Sequence, residues 1–582
     1  MIVVSVAGAS ALHRMSALHR RPTWPLALPI AAAAVAVALP ALSGSTPERP
    51  ANLVIGDLFP NGQELLLALI LLATARGVLL RRRVAYYVIL LLTGLSALDA
   101  LSTWQLGRLV LLTAAIGAFV RYRGEFTASP SRVRTAVRAG LITYGLAIAY
   151  GLAVMILQWH QMTPGPSPAD AGREILTGLT ASGPGPIHFS GSADHWFEAS
   201  LGVIGGGGLL AMLVTMLTPA PPPPAGTDRE RAEAARLVDD QGSDTLAPFV
   251  LRSDKSYVFS PDRRAVIGYR VLFGVAVAGG DPAGDPRSYP AAVAEFAALA
   301  ERSGWRMAVL GARADLLDLW RPYGLRSIEI GDEVLLSPNE FGLSGRSMRN
   351  VRQAVQRTRN AGVTTRVARE GDLTADELAR LQTVAAEAMG GTEERGFSMN
   401  MDDLLTGRHA SSVVVIVRDA EGAPIGFQRY LPSACGRRLS LDAMRRVPGA
   451  PNGLNERMIV DVMEYARDRG IDEVSLNFAA FRELFDTAER GPLEQGGYRL
   501  IHLLDPLIKV ESLYLFNRKF RPRYVRRAVA FPSWASLVPV GVALLTLEFG
   551  HRRAPRPEPA AAAAADHVPE DGYPSSPWQS AG

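Results

Sequence analysis

Apolar and polar positions follow two different patterns along this chain, and the change falls near residue 218. Before it, apolar residues run almost unbroken for about 20 positions at a time, the length of helix that crosses roughly 30 Å of hydrocarbon. Such runs lie at 24–42, 63–80, 84–104, 106–121, 139–159 and 198–218 and predict a bundle of six membrane-spanning helices over residues 1–218. After about 245 the runs shorten. Period-two segments predict strands at 256–260, 264–271, 273–279, 305–311 and 326–336, and again at 412–418, 424–431, 437–442 and 473–478. Helical periods predict helices at 288–303, 346–360, 374–389 and 453–469. The order strands, helix, strand occurs twice, which predicts two similar α/β units, 245–370 and 371–550, each a mixed sheet flanked by helices. Between the two halves, TPAPPPPAGT is a stiff spacer and DRERAEAARLVDD a short surface helix, so 219–244 is a linker. The segment 534–549 is apolar but interrupted by Pro539 and Gly541, and is expected to close the soluble part. Residues 551–582 are rich in Ala and Pro without an apolar period and are expected to be a disordered tail.

The arginines orient the membrane half. Arg14, Arg20 and Arg21 precede the first run; Arg76 and Arg81 to Arg83 lie at the second connection; Arg121, Arg123, Arg132, Arg134 and Arg138 fill the fourth. The alternate loops hold only Arg49, Arg108 and Arg173, so the positive-inside rule puts the N-terminus and everything after 218 in the cytosol of a multi-pass inner-membrane protein. Trp104, Trp159 and Trp196 then fall at the outer interface. The first run is expected to be an uncleaved helix rather than a signal peptide. Gly202 and Gly205 to Gly208 are expected to let helices approach closely. Asp99, near the outer end of its run, can reach water and is not read as a transport residue.

Composition removes several chemistries. A single cysteine, Cys435, excludes an intramolecular disulfide and a cysteine-built zinc site, and is read as a buried small apolar residue. Nine histidines show no metal-ligand spacing, and there is neither a GxSxG elbow nor a Walker A loop, so no metal and no cofactor are expected. Lysine occurs only at Lys255, Lys509 and Lys519, while the other basic residues are arginine. Where lysine persists against such a bias, an ammonium can serve where a guanidinium cannot.

Several phrases in the second half resemble the C-terminal domain of the phosphatidylglycerol lysyltransferase and alanyltransferase family, the multiple peptide resistance factors. They are DKSYVFSPDRRAVIGYRV (254–271), GGDPAGDP (279–286), SGRSMRNVRQAVQRTRNAG (344–362), RGFSM (395–399), LDAMRR (441–446), PNGLNERM (451–458), SLNFA (475–479) and ESLYLFNRKFRPRYVRR (511–527), in the family's order over about 245–530. The resemblance implies a tandem GNAT-like fold behind membrane helices, an aminoacyl-tRNA donor and phosphatidylglycerol as acceptor. It also implies a lysyl group as the moiety transferred, with a change of membrane charge that confers resistance to cationic peptides. Whether the protein forms a homo-oligomer stays open.

An aminoacyl-tRNA ester is already activated, so its transfer to a lipid hydroxyl needs positioning, a proton acceptor and charge stabilisation rather than a covalent nucleophile. Asp442 and Glu511, on family motifs, are candidates to hold the amino acid's ammonium or accept the hydroxyl proton. Arg445, Lys519 and Arg521 are candidates to bind the lipid or RNA phosphates. Asn455 and Glu456 open the 453–469 helix, where they either cap it or touch substrate. In the 346–360 helix, Met348, Val351, Val355 and Thr358 form one stripe, leaving Arg346, Arg349, Arg352, Arg357 and Arg359 outside it to track RNA or lie on anionic lipid. An acetyl-CoA enzyme is disfavoured: the nearest string to its pyrophosphate loop, RNAGVT (359–364), ends a helix instead of opening one. Transfer to another lipid or cell-wall acceptor, or a non-enzymatic lipid transporter or sensor, remains open.

Overall fold

The computed structural model describes residues 23–43, 64–127, 132–163, 167–180, 185–189, 193–240, 243–390, 399–480 and 515–549. Each apolar run becomes a helix: α1 (Trp24–Ser43), α2 (Glu64–Leu79), α3 (Arg83–Ser102), α4 (Leu106–Arg121), α5 (Val133–Leu157) and, after the short α6 (Pro168–Thr180), α7 (Ala193–Leu217). A two-residue hairpin, β1 (Met162–Thr163) with β2 (His188–Phe189), brackets α6. Among the described residues three helices are long and apolar enough to cross a membrane: Arg83–Ser102, Val133–Leu157 and Trp196–Leu217. Trp24–Ala38 and Leu65–Leu79 are apolar but shorter. Among the described residues, three of the about six expected spans are thus long enough by themselves to cross. α4, bounded by Gln105 and Tyr122, is 16 residues long, a rise of about 24 Å against roughly 30 Å of hydrocarbon.

Leucines on the long helices point outward, with Leu91 62%, Leu141 70% and Leu146 67% exposed, a surface suited to lipid and not to water. Gly205 lies against α6 so closely that a Cβ there would sit 2.2 Å from the Leu179 carbonyl oxygen, which is the close approach expected of the glycine run. Asp99 has a partner the sequence did not announce: Arg108 reaches back across the α3–α4 turn to 2.9 Å.

The linker helix α8 (Asp228–Val238) starts at Thr227, whose hydroxyl accepts from the Glu230 amide while the Glu230 carboxylate accepts from the Thr227 amide. Its Ala234 and Val238 bury against Ala247, Val250 and Val266, docking it on the sheet that follows.

That sheet has twelve strands. In its first half β3 (Ser256–Phe259), β4 (Ala265–Leu272) and β5 (Val275–Ala278) form an antiparallel meander, and β6 (Ala283–Gly284) pairs with β4. Helix α9 (Tyr289–Ser303) then crosses over to β7 (Arg306–Arg313), parallel to β5, and the chain continues into β8 (Arg326–Leu336). After α10 (Arg349–Asn360), β9 (Thr364–Arg369) and α11 (Ala375–Met389), the second half repeats the plan. β10 (Val413–Arg418), β11 (Pro424–Ser433) and β12 (Arg438–Arg446) form the meander, α12 (Leu454–Asp468) crosses over, and β13 (Glu473–Ala480) lies parallel to β12.

The halves exchange their last strands. β8 follows β7 in the chain but pairs with β13, while β14 (Arg523–Phe531) follows β13 in the chain but pairs with β7. β8 and β14 pair with each other from Arg326↔Phe531 to Leu335↔Arg523 and make the sheet continuous. The pairing therefore crosses the division expected at 370/371. β9 and α10 side with the second half, and β14 with the closing helix α13 (Leu537–Phe549) sides with the first, Val540, Ala543 and Leu547 packing on Val275, Val277 and Ala308.

A buried ion cluster sits at the exchange. The Arg527 guanidinium donates to Asp244 at 2.6 Å, Asp281 at 3.5 Å, the Gly311 carbonyl at 3.3 Å and, at short range, Glu333. Glu333 also accepts from Thr245 at 2.5 Å and Ser475 at 2.7 Å, so the seam ties residues of both halves together. Burial pushes the Asp281 carboxyl up to about 6, against the pull of Arg527. Burial also raises Asp244, but the Arg527 and Arg313 charges outweigh it and hold that carboxyl at about 2. Because Asp281 takes up a proton more readily folded than unfolded, its contribution is fully present below about 3.8 and is lost as pH rises through about 6. Asp244 acts in the opposite sense, losing its contribution only as pH falls from about 3.8 through about 2. Relative to the parent protein, the Asp281→Asn variant should therefore gain in thermal midpoint as pH rises from about 4 to about 6, a term on the order of 1–3 kcal/mol.

Candidate active site

The second half of the sheet opens where its parallel pair separates. β12 and β13 pair only at Arg438↔Glu473, Leu439↔Val474 and Ser440↔Ser475. Two irregularities part them. On β12 the register places Tyr430 opposite Leu441 and Arg429 opposite Ala443, so Asp442 is the extra residue of a bulge, a device that re-aims a side chain. On β13 the register shifts between Ser475 and Phe478, and Asn477 there adopts φ +71°. Asn477 spans the neck of the resulting wedge, its Nδ2 donating to the Leu441 carbonyl at 3.0 Å and to the Met399 carbonyl at 2.8 Å.

The bulge turns Asp442 toward Arg429. Asp442 Oδ2 accepts from Arg429 Nη1 at 3.0 Å, and Oδ1 accepts from the Met401 amide at 2.8 Å. Arg429 Nε in turn donates to Glu370 at 2.8 Å, and both of these side chains are fully buried. Two carboxylates thus share one guanidinium on the wall of the wedge. On the other side of the sheet Tyr430 donates to Gln428 at 2.7 Å, and Gln428 donates to the Asn455 carbonyl at 3.4 Å, at the first turn of α12. The next residue, Glu456, pairs with Lys519 at 2.9 Å, and the ammonium rests 5.1 Å from the centre of the Phe516 ring. Gly453 sets the entry of α12: it has φ +102°, and a Cβ there would press on Ala354 of α10 at 3.0 Å.

Of the residues singled out in the sequence, the fold joins Glu456 to Lys519 beside Asn455, and places Asp442 and Arg445 on one strand. Arg445 is half-buried and donates to the Met444 carbonyl at 3.2 Å. Arg521 stands apart, at φ +55°, and with Arg438, Arg523, Asp472 and Glu473 lines a cavity of about 790 Å³ at the closed end of the β12–β13 pair. Arg346 and Arg349 are exposed, and Arg352 donates to the Gly345 carbonyl at 2.7 Å and to that of Leu343, fastening the loop before α10. The opposite stripe, Met348, Val351, Val355 and Thr358, is buried as its spacing predicts. Glu511 and Lys509 lie outside the described residues.

Sequence reasoning missed Arg429, Glu370, Gln428 and Asn477. The available signal was Gln428–Arg429, a polar pair inside the otherwise apolar strand PIGFQRYLPS. The buried polar atoms near the wedge without a hydrogen-bond partner among the described residues include Asn455 Oδ1, Asn477 Oδ1 and Ser440 Oγ, and also the donor Arg429 Nη2. Buried acceptors are rarely left so, and two amide oxygens suit the N–H donors of a bound ammonium.

Two other residues settle away from the site. Cys435 is exposed, not buried: it sits at φ +57° in the β11–β12 turn, between Ala434 and Gly436, which are also at positive φ, so the turn carries it outward. Lys255 is fully buried, donates to the Phe249 carbonyl at 2.9 Å, and burial depresses its ammonium to about 8.

The family described as phosphatidylglycerol lysyltransferase, C-terminal, matches residues 235–531. An MprF-like domain protein of Mycobacterium tuberculosis is 42% identical over 323 residues, covering 54% of this chain and 66% of that protein. The lysylphosphatidylglycerol biosynthesis bifunctional protein LysX of Rhodococcus jostii is 33% identical over 500 residues, covering 83% of this chain and 44% of that protein. The chain thus spans less than two thirds of the length of these curated relatives. Among solved structures, the C-terminal domain of a putative lysylphosphatidylglycerol synthetase from Agrobacterium fabrum aligns with a TM-score of 0.49 at 24% identity, covering 56% of this chain and 98% of that one.

The two ion pairs of the site should respond differently to truncation. Arg429→Ala leaves Glu370 and Asp442 buried without their cation and should cost about 3–5 kcal/mol. Lys519→Ala breaks a pair whose lysine is 38% exposed and should cost less than about 1 kcal/mol. Thermal unfolding of the purified full chain, parent against each variant, measures both.

Proposed function

Because this chain belongs to the phosphatidylglycerol lysyltransferase family, we propose that it transfers an aminoacyl group, lysyl in the first instance, from aminoacyl-tRNA to phosphatidylglycerol. The observation that carries the reading is the wedge together with the entrance of α12 beside it: Asp442 and Asn477 are on the strands that part, Arg445 is on the same strand as Asp442, Asn455 and the Glu456–Lys519 pair are at the first turn of α12 on the other side of the sheet, and the amide oxygens of Asn455 and Asn477 have no hydrogen-bond partner among the described residues. A lysyl ester brings ammonium groups that suit the carboxylates and amide oxygens, and the phosphates of donor and acceptor suit the cations.

The reaction is an ester exchange. The lipid glycerol hydroxyl attacks the aminoacyl carbonyl, a C–O bond forms to the lipid, and the C–O bond to the terminal ribose breaks. The hydroxyl proton passes to the departing ribose oxygen, so no external acid or base is consumed. Asp442, held by Arg429 and the Met401 amide, is a fixed negative charge on which the amino acid's ammonium can be oriented. Lys519 offers its charge to the oxyanion or to a phosphate once substrate competes with Glu456. Arg349, Arg357 and Arg359, exposed along α10, with Arg346 exposed just before it, provide an RNA track.

The site works at the cytosolic face of a multi-pass inner-membrane protein. What supports this is the side from which the domain is held: Arg82, in the arginine-bearing α2–α3 turn, donates to the Gly304 carbonyl at 3.1 Å.

Lipid mass spectrometry of a host without such enzymes, expressing the full chain, should reveal an aminoacylated phosphatidylglycerol whose mass names the amino acid. Asp442→Asn and Lys519→Ala should each lower it roughly 10²-fold at equal protein level. Unaltered product in both variants would remove these residues from the mechanism, and absence of any aminoacyl lipid would remove the reading.

A further inference from the structure

A second cationic centre lies where the membrane helices meet the first half of the sheet, remote from the wedge. A cavity of about 440 Å³ is lined from the membrane side by Trp24, Leu79 and Arg81, and from the sheet side by Trp305, Arg306 and Ser533. β7, which carries Arg306, is separated from β12 by β14, β8 and β13, four strand spacings or about 19 Å.

The charges at this seam are not balanced from within. Arg81 pairs with Glu125, and Glu301 is the one carboxylate among the residues lining the cavity. Arg306 is half-buried and has no side-chain partner among the described residues; the charge that acts on it is that of Arg76, another arginine without a partner there. Burial, reinforced by Arg76, lowers the Arg306 guanidinium from its ordinary value. Behind the cavity wall Arg82 is also buried, with Nε and Nη1 lacking acceptors among the described residues. Arg306 and Arg82, withdrawn from water and short of carboxylates, with the exposed Arg76 acting on Arg306, are cations that an anion would stabilise.

A second cavity indicates the anion's class. It measures about 380 Å³, and its lining, which includes Pro25, Ile30, Ala33, Leu71 and Phe119, is almost wholly apolar. On α1 it begins one residue beyond Trp24, and on α2 it reaches Leu71, eight residues before Leu79, a rise of about 12 Å. One cavity thus lies at the membrane boundary beside cations and the other at hydrocarbon depth on the same helices, which is the disposition of a lipid phosphate and an acyl chain.

The geometry points to a bound anionic phospholipid, its phosphate at Arg306 with Arg76 nearby and one acyl chain in the apolar cavity between α1, α2, α3 and α4, holding the first half of the sheet to the membrane helices. This site is separate from the wedge and does not depend on the reaction assigned to it.

Native mass spectrometry of the full chain, reconstituted in phosphatidylcholine doped with phosphatidic acid, tests it, because phosphatidic acid has no glycerol head group to accept an aminoacyl unit. The parent protein should keep a phosphatidic acid molecule through detergent exchange. Arg306→Gln and Arg76→Gln should each weaken retention roughly fivefold, and Arg306→Lys should retain most of it. Ala33→Phe, which fills the apolar cavity, should weaken retention with all arginines in place. Retention unchanged in Arg306→Gln, or unchanged in Ala33→Phe, overturns the proposal. So does equal displacement of the lipid by inorganic phosphate, which would assign the cations to a free anion. Transfer activity is read separately and is not needed for any of these outcomes.

Discussion

The exchange of β8 and β14, clamped by Arg527, is the constraint on which the rest of the sheet depends. An arginine and three carboxylates have been taken out of water at the seam, at a cost that only near-complete mutual pairing offsets. Glu333 comes from the strand that leaves the first half, Arg527 from the strand that returns to it, and Ser475 from β13. The cluster therefore forms only when both strands have been exchanged in the observed register, since a slip of one residue would turn either charge to the other face. In the first half, Asp281 occupies the space beyond the end of β5, where it accepts from the Arg313 amide at 2.8 Å and from Trp320 at 3.4 Å. The corresponding space in the second half is the wedge. Two copies of one plan thus end differently: among the described residues, one is closed by an ion cluster and the other leaves acceptors without a partner.

That asymmetry gives the wedge its character. Asp442 is available there because a bulge turns it out of the strand alternation, and it is held rigid because Arg429 and the Met401 amide occupy both of its oxygens. Asn477 holds the neck with its amide nitrogen, and its oxygen has no hydrogen-bond partner among the described residues. Rigid walls and unmet acceptors are what a site that positions an activated ester requires, since orientation and fixed charge supply most of the catalysis when no covalent intermediate is formed.

Much of this was legible along the chain, and what was not has identifiable causes. The strand Val413–Arg418 announces itself as a short β-branched run buried on both faces, and a helix such as Ala375–Met389 by the one face it buries. β14 does not: Arg523, Arg526 and Arg527 interrupt its alternation, and Arg527 points inward only because three carboxylates from distant parts of the chain await it. The strand exchange is invisible to any local pattern for the same reason. At the candidate site, Asp442, Glu456 and Lys519 stand out in the sequence because they are charged residues on recognisable motifs. Arg429 and Glu370 were missed because their partnership spans 59 positions, and a buried arginine in an apolar strand has no periodic signature. Cys435 was misjudged because composition speaks for burial while its turn conformation speaks against it.

The most direct measurement is electron cryomicroscopy of the full chain in lipid with a non-hydrolysable lysyl-adenosine analogue. Density for the lysyl group between β12 and β13, with its ammonium groups against Asp442, Asn455 or Asn477, is the result predicted here. Density confined to the cavity beside Arg521, with the wedge unchanged, would contradict the assignment of the wedge as the place of transfer.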